Sequence, residues 1–259
     1  MPNLLQASIT QIAARISSIL QPLYPTIYLY GSITLNDFKP GWSDIDILVL
    51  TDAPIAQSQA TQLVTLRETM LYESPDNPYF RSFEGGMLTL NAFISGQPDR
   101  VVYWGTSGER ITDKYDFDAF CMSELIDSGI LLYGSDIRDR LSRPTFAELK
   151  SNVQRHYEVI RRYIQKTDRS LYSYGWLLDI SRCIYTLRTG RIIAKTAAGE
   201  WALRESLCPC RDDLAKAVMI RREPVRYLND ESIFDYAETL GDSVQSYADV
   251  LESELKRCC

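Results

Sequence analysis

The stretch YLYGSITLNDFKPGWSDIDILVL, residues 28–50, places a glycine–serine pair after one apolar run and an Asp-x-Asp triplet at the head of another. Both runs are rich in β-branched and aromatic residues and are bounded by turn residues, which predicts two strands of a central sheet. In a strand, residues i and i+2 point to the same face. If Asp44-Ile45-Asp46 begins the second strand, both carboxylates project together while Ile45 turns into the core.

Two carboxylates this close repel each other strongly unless a cation lies between them. Magnesium suits the pair, because it prefers oxygen ligands and commonly joins one or two protein carboxylates to substrate phosphates. Gly31 would let the backbone approach a phosphate, and Ser32 would bind phosphate oxygens at the start of a helix that residues 34–37 could open. The combination predicts a nucleoside triphosphate site with Mg²⁺. The alternative is a turn with capping aspartates beside an ordinary loop.

Hydrophobic periodicity extends this sheet through the N-terminal half. Apolar residues at three- and four-residue spacing predict an amphipathic helix over residues 4–20, and the helical pattern returns between residues 55 and 72. Further strands are predicted by the segments MLTLNAF, RVVYW and ILLYG, with turn-rich GTSGER after the second and a helix over residues 118–128 before the third. This half therefore predicts a mixed sheet with flanking helices.

The composition changes near residues 143–147, after which no strand is predicted. Helical periodicity recurs in the segments TFAELKSNVQRHYEVIRRYIQK, YGWLLDISRCIYTLRTG, AAGEWALRESL and SIFDYAETLGDSVQSYADVLESELK. The last segment carries a continuous apolar stripe from Ile233 to Leu255, as a bundle helix does. The sequence thus predicts an α+β protein, with a mixed-sheet domain over residues 1–145 followed by an all-helical bundle domain over residues 146–259.

Composition and charge narrow the function classes. The 259 residues carry a formal net charge of −6, which disfavours an extended nucleic-acid surface and is compatible with a cationic small substrate. No apolar run approaches the roughly 20 residues of a membrane span, and the N-terminus lacks the pattern of a secretory signal. Six scattered cysteines and a single histidine disfavour a zinc site, and His156 is interpreted as a helix-surface residue. We expect a cytoplasmic monomer without membrane contact.

The order strand, Gly-Ser, short spacer, Asp-x-Asp, strand resembles the polymerase-β-type nucleotidyltransferase superfamily. The chain as a whole resembles the aminoglycoside 3''- and 9-adenylyltransferases of bacteria, which inactivate streptomycin and spectinomycin. The second half carries this likeness in SRCIYTLRTGRIIAKTAAGEWAL, where the family's S-R, Y, T-G, K, A and W-A pattern is matched by Ser181-Arg182, Tyr185, Thr189-Gly190, Lys195, Ala198 and Trp201-Ala202. The resemblance covers nearly the full length of the chain.

The resemblance implies ATP as co-substrate, with Mg²⁺ bound by Asp44 and Asp46. The terminal phosphates would be held by Gly31 and Ser32. The family's general base is a glutamate at the start of the strand beside the aspartate pair, and Glu84 in FEGGMLT is at the matching place. Two glycines follow it, which predicts either a bulge or turn that re-aims the carboxylate or a different alignment.

The resemblance also implies that Arg182 and Lys195 bind the ATP phosphates from the helical domain, in a cleft between the domains that closes on ATP. The helix predicted over residues 174–189 leaves Arg182 on a flank of its buried stripe, and Gly190 suits the C-cap. Cations there would offset the charge of the leaving pyrophosphate. The alternative is that Arg182 pairs with Asp179 and that Lys195 is solvated.

Three candidate acceptor-binding residues also come from the resemblance. Streptomycin-modifying members hold the drug with a tryptophan and acidic residues in the segment that here reads YIQKTDRSLYSYGW. Tyr163 takes the tryptophan's place, and Asp168 and Tyr172 take the places of two acids, so one acid of that set is retained. Trp104, with its neighbour Tyr103, offers a stacking surface near the end of a predicted strand.

These features predict an enzyme that transfers AMP from ATP to a hydroxyl of an aminoglycoside or aminocyclitol antibiotic by in-line displacement. Glu84 would take the proton of the attacking hydroxyl. Two alternatives remain open: a nucleotidyltransferase that modifies a protein or RNA acceptor, and a regulatory ATP-binding protein without turnover.

Overall fold

The computed structural model describes residues 3–98, 100–105 and 108–258. The chain divides into two compact units. Unit 1 comprises Met1–Thr34, Asp44–Phe117 and Glu124–Arg143, and unit 2 comprises Leu35–Ser43, Asp118–Ser123 and Pro144–Cys259. The helical unit therefore includes two short segments of the N-terminal half, which a single boundary near residue 145 does not assign to it.

Unit 1 is built on a mixed sheet whose six described strands are β1 (Thr26–Tyr30), β2 (Ile45–Thr51), β3 (Phe83–Thr89), β4 (Val101–Gly105), β5 (Gly108–Thr112) and β6 (Ile130–Tyr133). The order across the sheet is β5-β4-β3-β2-β1-β6. Strands β2 and β3 run parallel, and all other neighbours in the sheet are antiparallel. The predicted mixed sheet is confirmed.

The helices described in the N-terminal half are α1 (Asn3–Leu20), α2 (Gln57–Glu73), α3 (Leu90–Ser95) and α4 (Ala119–Ser128). Helix α1 buries the predicted stripe, which comprises Leu5, Ile9, Ile12, Ile16 and Leu20. Helix α2 lies between β2 and β3 in the chain, as the crossover that joins two parallel strands requires.

Two local predictions in this half are wrong. Residues 34–37 do not open a helix: residues 34–36 lie in a turn, and Asn36 has a φ angle of 56°, which a right-handed helix excludes. The strand predicted in MLTLNAF ends at Thr89, whose hydroxyl accepts a hydrogen bond of 3.2 Å from Ala92 N and caps α3. Segment GTSGER, predicted as turn-rich, contributes β5, while its residues 106–107 lie outside the described residues.

The C-terminal part is helical, which confirms the α+β class. Its described α-helices are α5 (Phe146–Tyr163), α6 (Tyr172–Thr189), α7 (Lys195–Arg204), α8 (Arg211–Arg222), α9 (Glu231–Ala237) and α10 (Gly241–Arg257). Helix α6 contributes its predicted stripe to the core of unit 2, and Gly190 at its C-cap has the expected left-handed conformation. None of the helices in the described ranges combines the length and apolarity needed to cross a membrane.

The helical part differs from the sequence prediction in two places. Helix α8 was not predicted, and the final periodic segment is two helices rather than one. Helix α10 begins at Gly241, where a Cβ atom would lie 2.5 Å from the carbonyl oxygen of Gln165. This close backbone approach is a tertiary requirement that hydrophobic periodicity does not report.

Candidate active site

The aspartate pair lies at the start of β2. Asp44 precedes the strand and Asp46 is its second residue, while Ile45 between them is fully buried. In the strand register, Asp46 is partnered by Tyr30 of β1 and by Glu84 of β3. Partnered residues share a face, and neighbouring strands are about 4.8 Å apart. The register thus brings one predicted metal ligand, Asp46, and the predicted base, Glu84, to one face of unit 1, and Asp44 lies directly before the strand that carries Asp46.

The glycine–serine turn packs against both aspartates. A Cβ atom at Gly31 would lie 2.1 Å from Oδ2 of Asp46, and the φ of Gly31 is 73°, so only glycine suits this position. The Ser32 hydroxyl donates a hydrogen bond of 3.4 Å to the carbonyl oxygen of Asp44. Carboxylate oxygens beside an open backbone turn are a donor set that fits Mg²⁺ carrying substrate phosphates.

Glu84 and the two glycines after it belong to β3, in unbroken parallel register with β2. A Cβ atom at Gly85 would lie 1.8 Å from the carbonyl oxygen of Ile47, and one at Gly86 would lie 2.4 Å from the ring of Tyr115. The glycines therefore permit close approach of backbone and ring. The predicted bulge or turn is wrong, and Glu84 stays level with Asp46 along the strands.

Tyr103 orients the carboxylate of Glu84. Its hydroxyl donates a hydrogen bond of 2.8 Å to Oε1 of Glu84, and the guanidinium of Arg110 lies 4.4 Å from the centre of its ring. Burial, followed by the hydrogen bond to Glu84, raises the pKa of Tyr103 to about 12. The phenol therefore remains a protonated donor near neutral pH, and the second carboxylate oxygen of Glu84 carries no part of this hydrogen bond.

Trp104 does not offer the stacking surface that the sequence suggested. Its side chain is 0% exposed, and its indole nitrogen donates a hydrogen bond of 2.9 Å to the carbonyl oxygen of Leu63. Side chains alternate along a strand, so Trp104 points away from the face that carries Tyr103. This prediction is wrong, and Trp104 belongs to the core of unit 1.

The two predicted phosphate-binding cations lie in unit 2. Lys195 is the first residue of α7, and its Nζ atom lies 2.8 Å from Oδ1 of Asp179 on α6. The guanidinium of Arg182 on α6 lies 5.1 Å from the centre of the Phe120 ring. Burial opposes ionisation of Asp179, but Lys195 and then Arg182 outweigh it and lower its pKa. Lys195 is thus ion-paired rather than simply solvated, which corrects the alternative interpretation.

His156 belongs to a polar group of unit 2 rather than to a plain helix surface. Its ring lies 5.6 Å from that of Phe120, and its Nε2 atom is 3.9 Å from Oδ2 of Asp118. Asn152 donates a hydrogen bond of 3.1 Å to the same oxygen. Burial is the main cause that lowers the pKa of His156, so the imidazole is predominantly neutral near neutral pH.

The candidate acceptor-binding residues of unit 2 differ in their surroundings. Tyr163 and Tyr172 are 64% and 60% exposed, and the ring of Tyr172 lies 6.0 Å from that of Trp42 in an edge arrangement. Asp168 accepts a hydrogen bond of 2.8 Å from the hydroxyl of Ser173 in the first turn of α6. Both tyrosines are accessible to a ligand, whereas Asp168 also has a local structural contact.

Two contacts of candidate residues, one within each unit, were missed in the sequence. The hydrogen bond from Tyr103 to Glu84 depends on antiparallel pairing of β4 with β3, which strand alternation alone does not give. The pairing of Asp179 with Lys195 joins two helices, whereas helical spacing suggested only the partner Arg182 three residues away.

Comparison with known proteins extends over both halves. Residues 11–76 match the family model described as nucleotidyltransferase domain, and residues 149–231 match the one described as aminoglycoside adenylyltransferase, C-terminal domain. Spectinomycin 9-adenylyltransferase of Campylobacter jejuni is 26% identical over 206 residues, which cover 75% of this chain and 77% of that protein. The protein of the same name from Staphylococcus aureus is 22% identical over 217 residues, which cover 78% and 81%.

The fold has a counterpart among solved structures. A crystal structure of spectinomycin adenyltransferase from Enterococcus faecialis with ATP and spectinomycin matches with a TM-score of 0.69 at 16% identity. The match covers 95% of this chain and 99% of that one. This likeness concerns the fold, whereas the family models assign the parts they match: residues 11–76 belong to the nucleotidyltransferase domain and residues 149–231 to the aminoglycoside adenylyltransferase C-terminal domain.

Proposed function

We propose that this enzyme transfers AMP from ATP to a hydroxyl of an aminocyclitol antibiotic of the spectinomycin type, with release of pyrophosphate. The observation that carries the proposal is the strand register that aligns Glu84 with Asp46, beside a glycine turn whose backbone closely approaches the Asp46 carboxylate. The relatives named above act on spectinomycin by name, and the matched crystal structure contains ATP and spectinomycin.

In unit 1, Asp44 and Asp46 would hold Mg²⁺, and Gly31 and Ser32 would bind phosphate oxygens through the turn. When bound, Mg²⁺ offsets negative charge on the phosphates and orients the α-phosphate for in-line attack. Glu84 would accept the proton of the attacking hydroxyl, with its carboxylate oriented by Tyr103.

In unit 2, Arg182 and Lys195 would bind the phosphates that leave as pyrophosphate. Their proximity to Asp179 supports a preorganised arrangement, because the carboxylate holds the Lys195 ammonium in one position before ATP binds. Lys195 would exchange this partner for a phosphate oxygen.

For the acceptor, we propose contacts with Tyr163, Asp168 and Tyr172. Exposed aromatic rings can stack on a saturated ring system, and a carboxylate can pair with the ammonium groups of an aminocyclitol. The net charge of −6 is compatible with such a cationic acceptor. Only one acid of the streptomycin-binding set is retained in this segment, which disfavours streptomycin as the acceptor.

Pyrophosphate release from Mg²⁺-ATP, measured with spectinomycin, streptomycin and no acceptor, tests the proposal, with mass spectrometry to identify the AMP adduct. We expect turnover with spectinomycin, and a 10²- to 10⁴-fold lower kcat in Glu84→Gln with ATP binding retained. Turnover with streptomycin alone would overturn the acceptor assignment. ATP binding without turnover on either drug would favour a regulatory protein, and AMP attached to protein or RNA would favour a macromolecular acceptor.

A further inference from the structure

The segment Leu35–Ser43 joins the glycine–serine turn to the aspartate pair. It belongs to unit 2, whereas Thr34 before it and Asp44 after it belong to unit 1. The hydrogen bond from Ser32 to the carbonyl oxygen of Asp44 closes the base of this loop. A contact that fixes this segment is therefore only a few residues along the chain from both the glycine–serine turn and Asp44, which are parts of the proposed ATP site.

Asp37 anchors the middle of this segment to the first turn of α7. The side chain belongs to a residue only 4% exposed, and its carboxylate accepts hydrogen bonds of 3.1 Å from Thr196 N and 2.6 Å from Thr196 Oγ1. The N-cap residue of α7, Ala194, has no side chain that can accept a hydrogen bond. Asp37 therefore caps a helix from more than 150 residues away in the chain.

A second contact holds the same segment on α8. Arg221, only 3% exposed, lies with its Nε atom 3.4 Å from Oδ2 of Asp37. Its guanidinium carbon also lies 5.3 Å from the centre of the Trp42 ring, and Trp42 is in the same segment. The buried carboxylate is thus balanced by a buried cation, and the segment is fixed at two of its residues.

We propose that Asp37 is a positioning residue, which fixes the conformation of the Gly31-Ser32 turn and of Asp44 by anchoring the segment between them to α7. The anchored residue, Thr196, directly follows Lys195, so the same contact also fixes the start of the helix that carries the proposed phosphate-binding lysine. The effect on ATP binding rests on the function proposed above, whereas the effect on the turn does not.

The test uses Thr196→Val, because replacing Asp37 would leave Arg221 as an unpaired buried charge and could unfold the protein. The valine removes the hydroxyl that donates to Asp37 and leaves the ion pair with Arg221 in place. Thr196→Ser retains the hydroxyl and should therefore show the hydrogen exchange and the ATP affinity of the wild type. The matched control is Thr239→Val, which removes a hydroxyl donor to the carbonyl oxygen of Tyr236 elsewhere in unit 2.

Amide hydrogen exchange of the full chain without nucleotide measures directly whether the segment and the turn are held in place. In Thr196→Val, we expect exchange at least tenfold faster at residues 35–43 and also at Gly31, Ser32 and Asp44, with the wild-type pattern in Thr196→Ser and Thr239→Val. Faster exchange confined to the first turn of α7 would overturn the proposal.

ATP affinity gives a second readout. We expect Thr196→Val to raise the Kd of Mg²⁺-ATP about tenfold, with the KM of the acceptor unchanged, and Thr196→Ser to bind as the wild type does. If Thr196→Val lowers the thermal midpoint but leaves the Kd of Mg²⁺-ATP unchanged, Asp37 only stabilises the fold, and the proposal is overturned. If the wild type itself binds no ATP, the proposed function fails, and the exchange experiment still decides whether Asp37 positions the turn.

Discussion

Gly31 leaves no room for a side chain beside Asp46, so Gly31→Ala is a sharp test of the turn. The added methyl group would meet Asp46 Oδ2 at 2.1 Å and displace a proposed Mg²⁺ ligand. We expect Mg²⁺-dependent ATP turnover to fall at least 100-fold, which corresponds to about 2.7 kcal/mol. Steady-state kinetics measures this loss of turnover, and denaturant unfolding separately measures any loss of stability.

The matched control is Gly96→Ala. Gly96 has a φ of 65°, close to the 73° of Gly31, but a Cβ atom there would meet nothing within 4 Å. Both variants should lose about 1 kcal/mol of unfolding free energy from the left-handed backbone, and only Gly31→Ala should lose activity. Equal activity in the two variants would show that the close approach of the Gly31 backbone to Asp46 is not needed for turnover.

Tyr103 connects the candidate base to the pH dependence of stability. Because the pKa of Tyr103 is raised from 10.0 to about 12 in the folded protein, its contribution to stability is complete below pH 10 and is lost as the pH rises towards 12. The free energy of unfolding should therefore fall more steeply over this pH range in the wild type than in Tyr103→Phe. Denaturant unfolding of both proteins at several pH values measures this difference. The contributions of the other tyrosines are the same in both proteins and cancel.

The same variant should affect catalysis through Glu84. Loss of the 2.8 Å hydrogen bond frees the Glu84 carboxylate to rotate, so we expect kcat to fall about tenfold while the Kd of ATP stays unchanged. A Tyr103→Phe enzyme with unchanged kcat and an unchanged alkaline stability profile would argue against this coupling.

The pairing of helices α6 and α7 predicts a combined effect of Lys195→Met. Breaking a charged hydrogen bond to partly buried Asp179 should cost about 1–3 kcal/mol of unfolding free energy and weaken ATP binding about 10- to 100-fold. The wild-type free energy of unfolding should fall as the pH drops below 3.8, because the pKa of Asp179 is lowered in the fold. This acid-induced loss should be smaller in the variant.

Lys256→Met is the control for this charge change. Lys256 pairs with Glu252 one helical turn away on exposed surface, so its loss should cost no more than about 0.5 kcal/mol. If Lys195→Met and Lys256→Met bind ATP equally well, Lys195 has no role in phosphate binding.

Helices and strands were predictable where a single hydrophobic periodicity dominates the local sequence. The stripe of α1 and the strands β1 and β2 follow from local patterns. Predictions failed where distant backbone or rings decide the conformation. The glycines at 85 and 86 suggested a bulge, whereas contacts with Ile47 and Tyr115 allow only glycine in a continuous strand. Such contacts have no signal in the local sequence.

For the whole molecule, the sequence predicted a sheet-based half and a helical half, because strand and helix periods separate along the chain. It did not reveal that Leu35–Ser43 and Asp118–Ser123 belong to the helical unit. Asp37 appeared only as part of a possible helix start, although it is a buried partner of Arg221. Long-range ion pairs of this kind can be read only from the folded chain.

We propose that Asp44 and Asp46 jointly bind the Mg²⁺ that accompanies ATP. A crystal structure of the protein with Mg²⁺ and a non-hydrolysable ATP analogue tests it most directly. We predict one octahedral ion with an oxygen atom from each aspartate and at least one phosphate oxygen, at about 2.0–2.1 Å. A bound nucleotide whose metal ion touches neither carboxylate would show that the aspartate pair does not hold the metal.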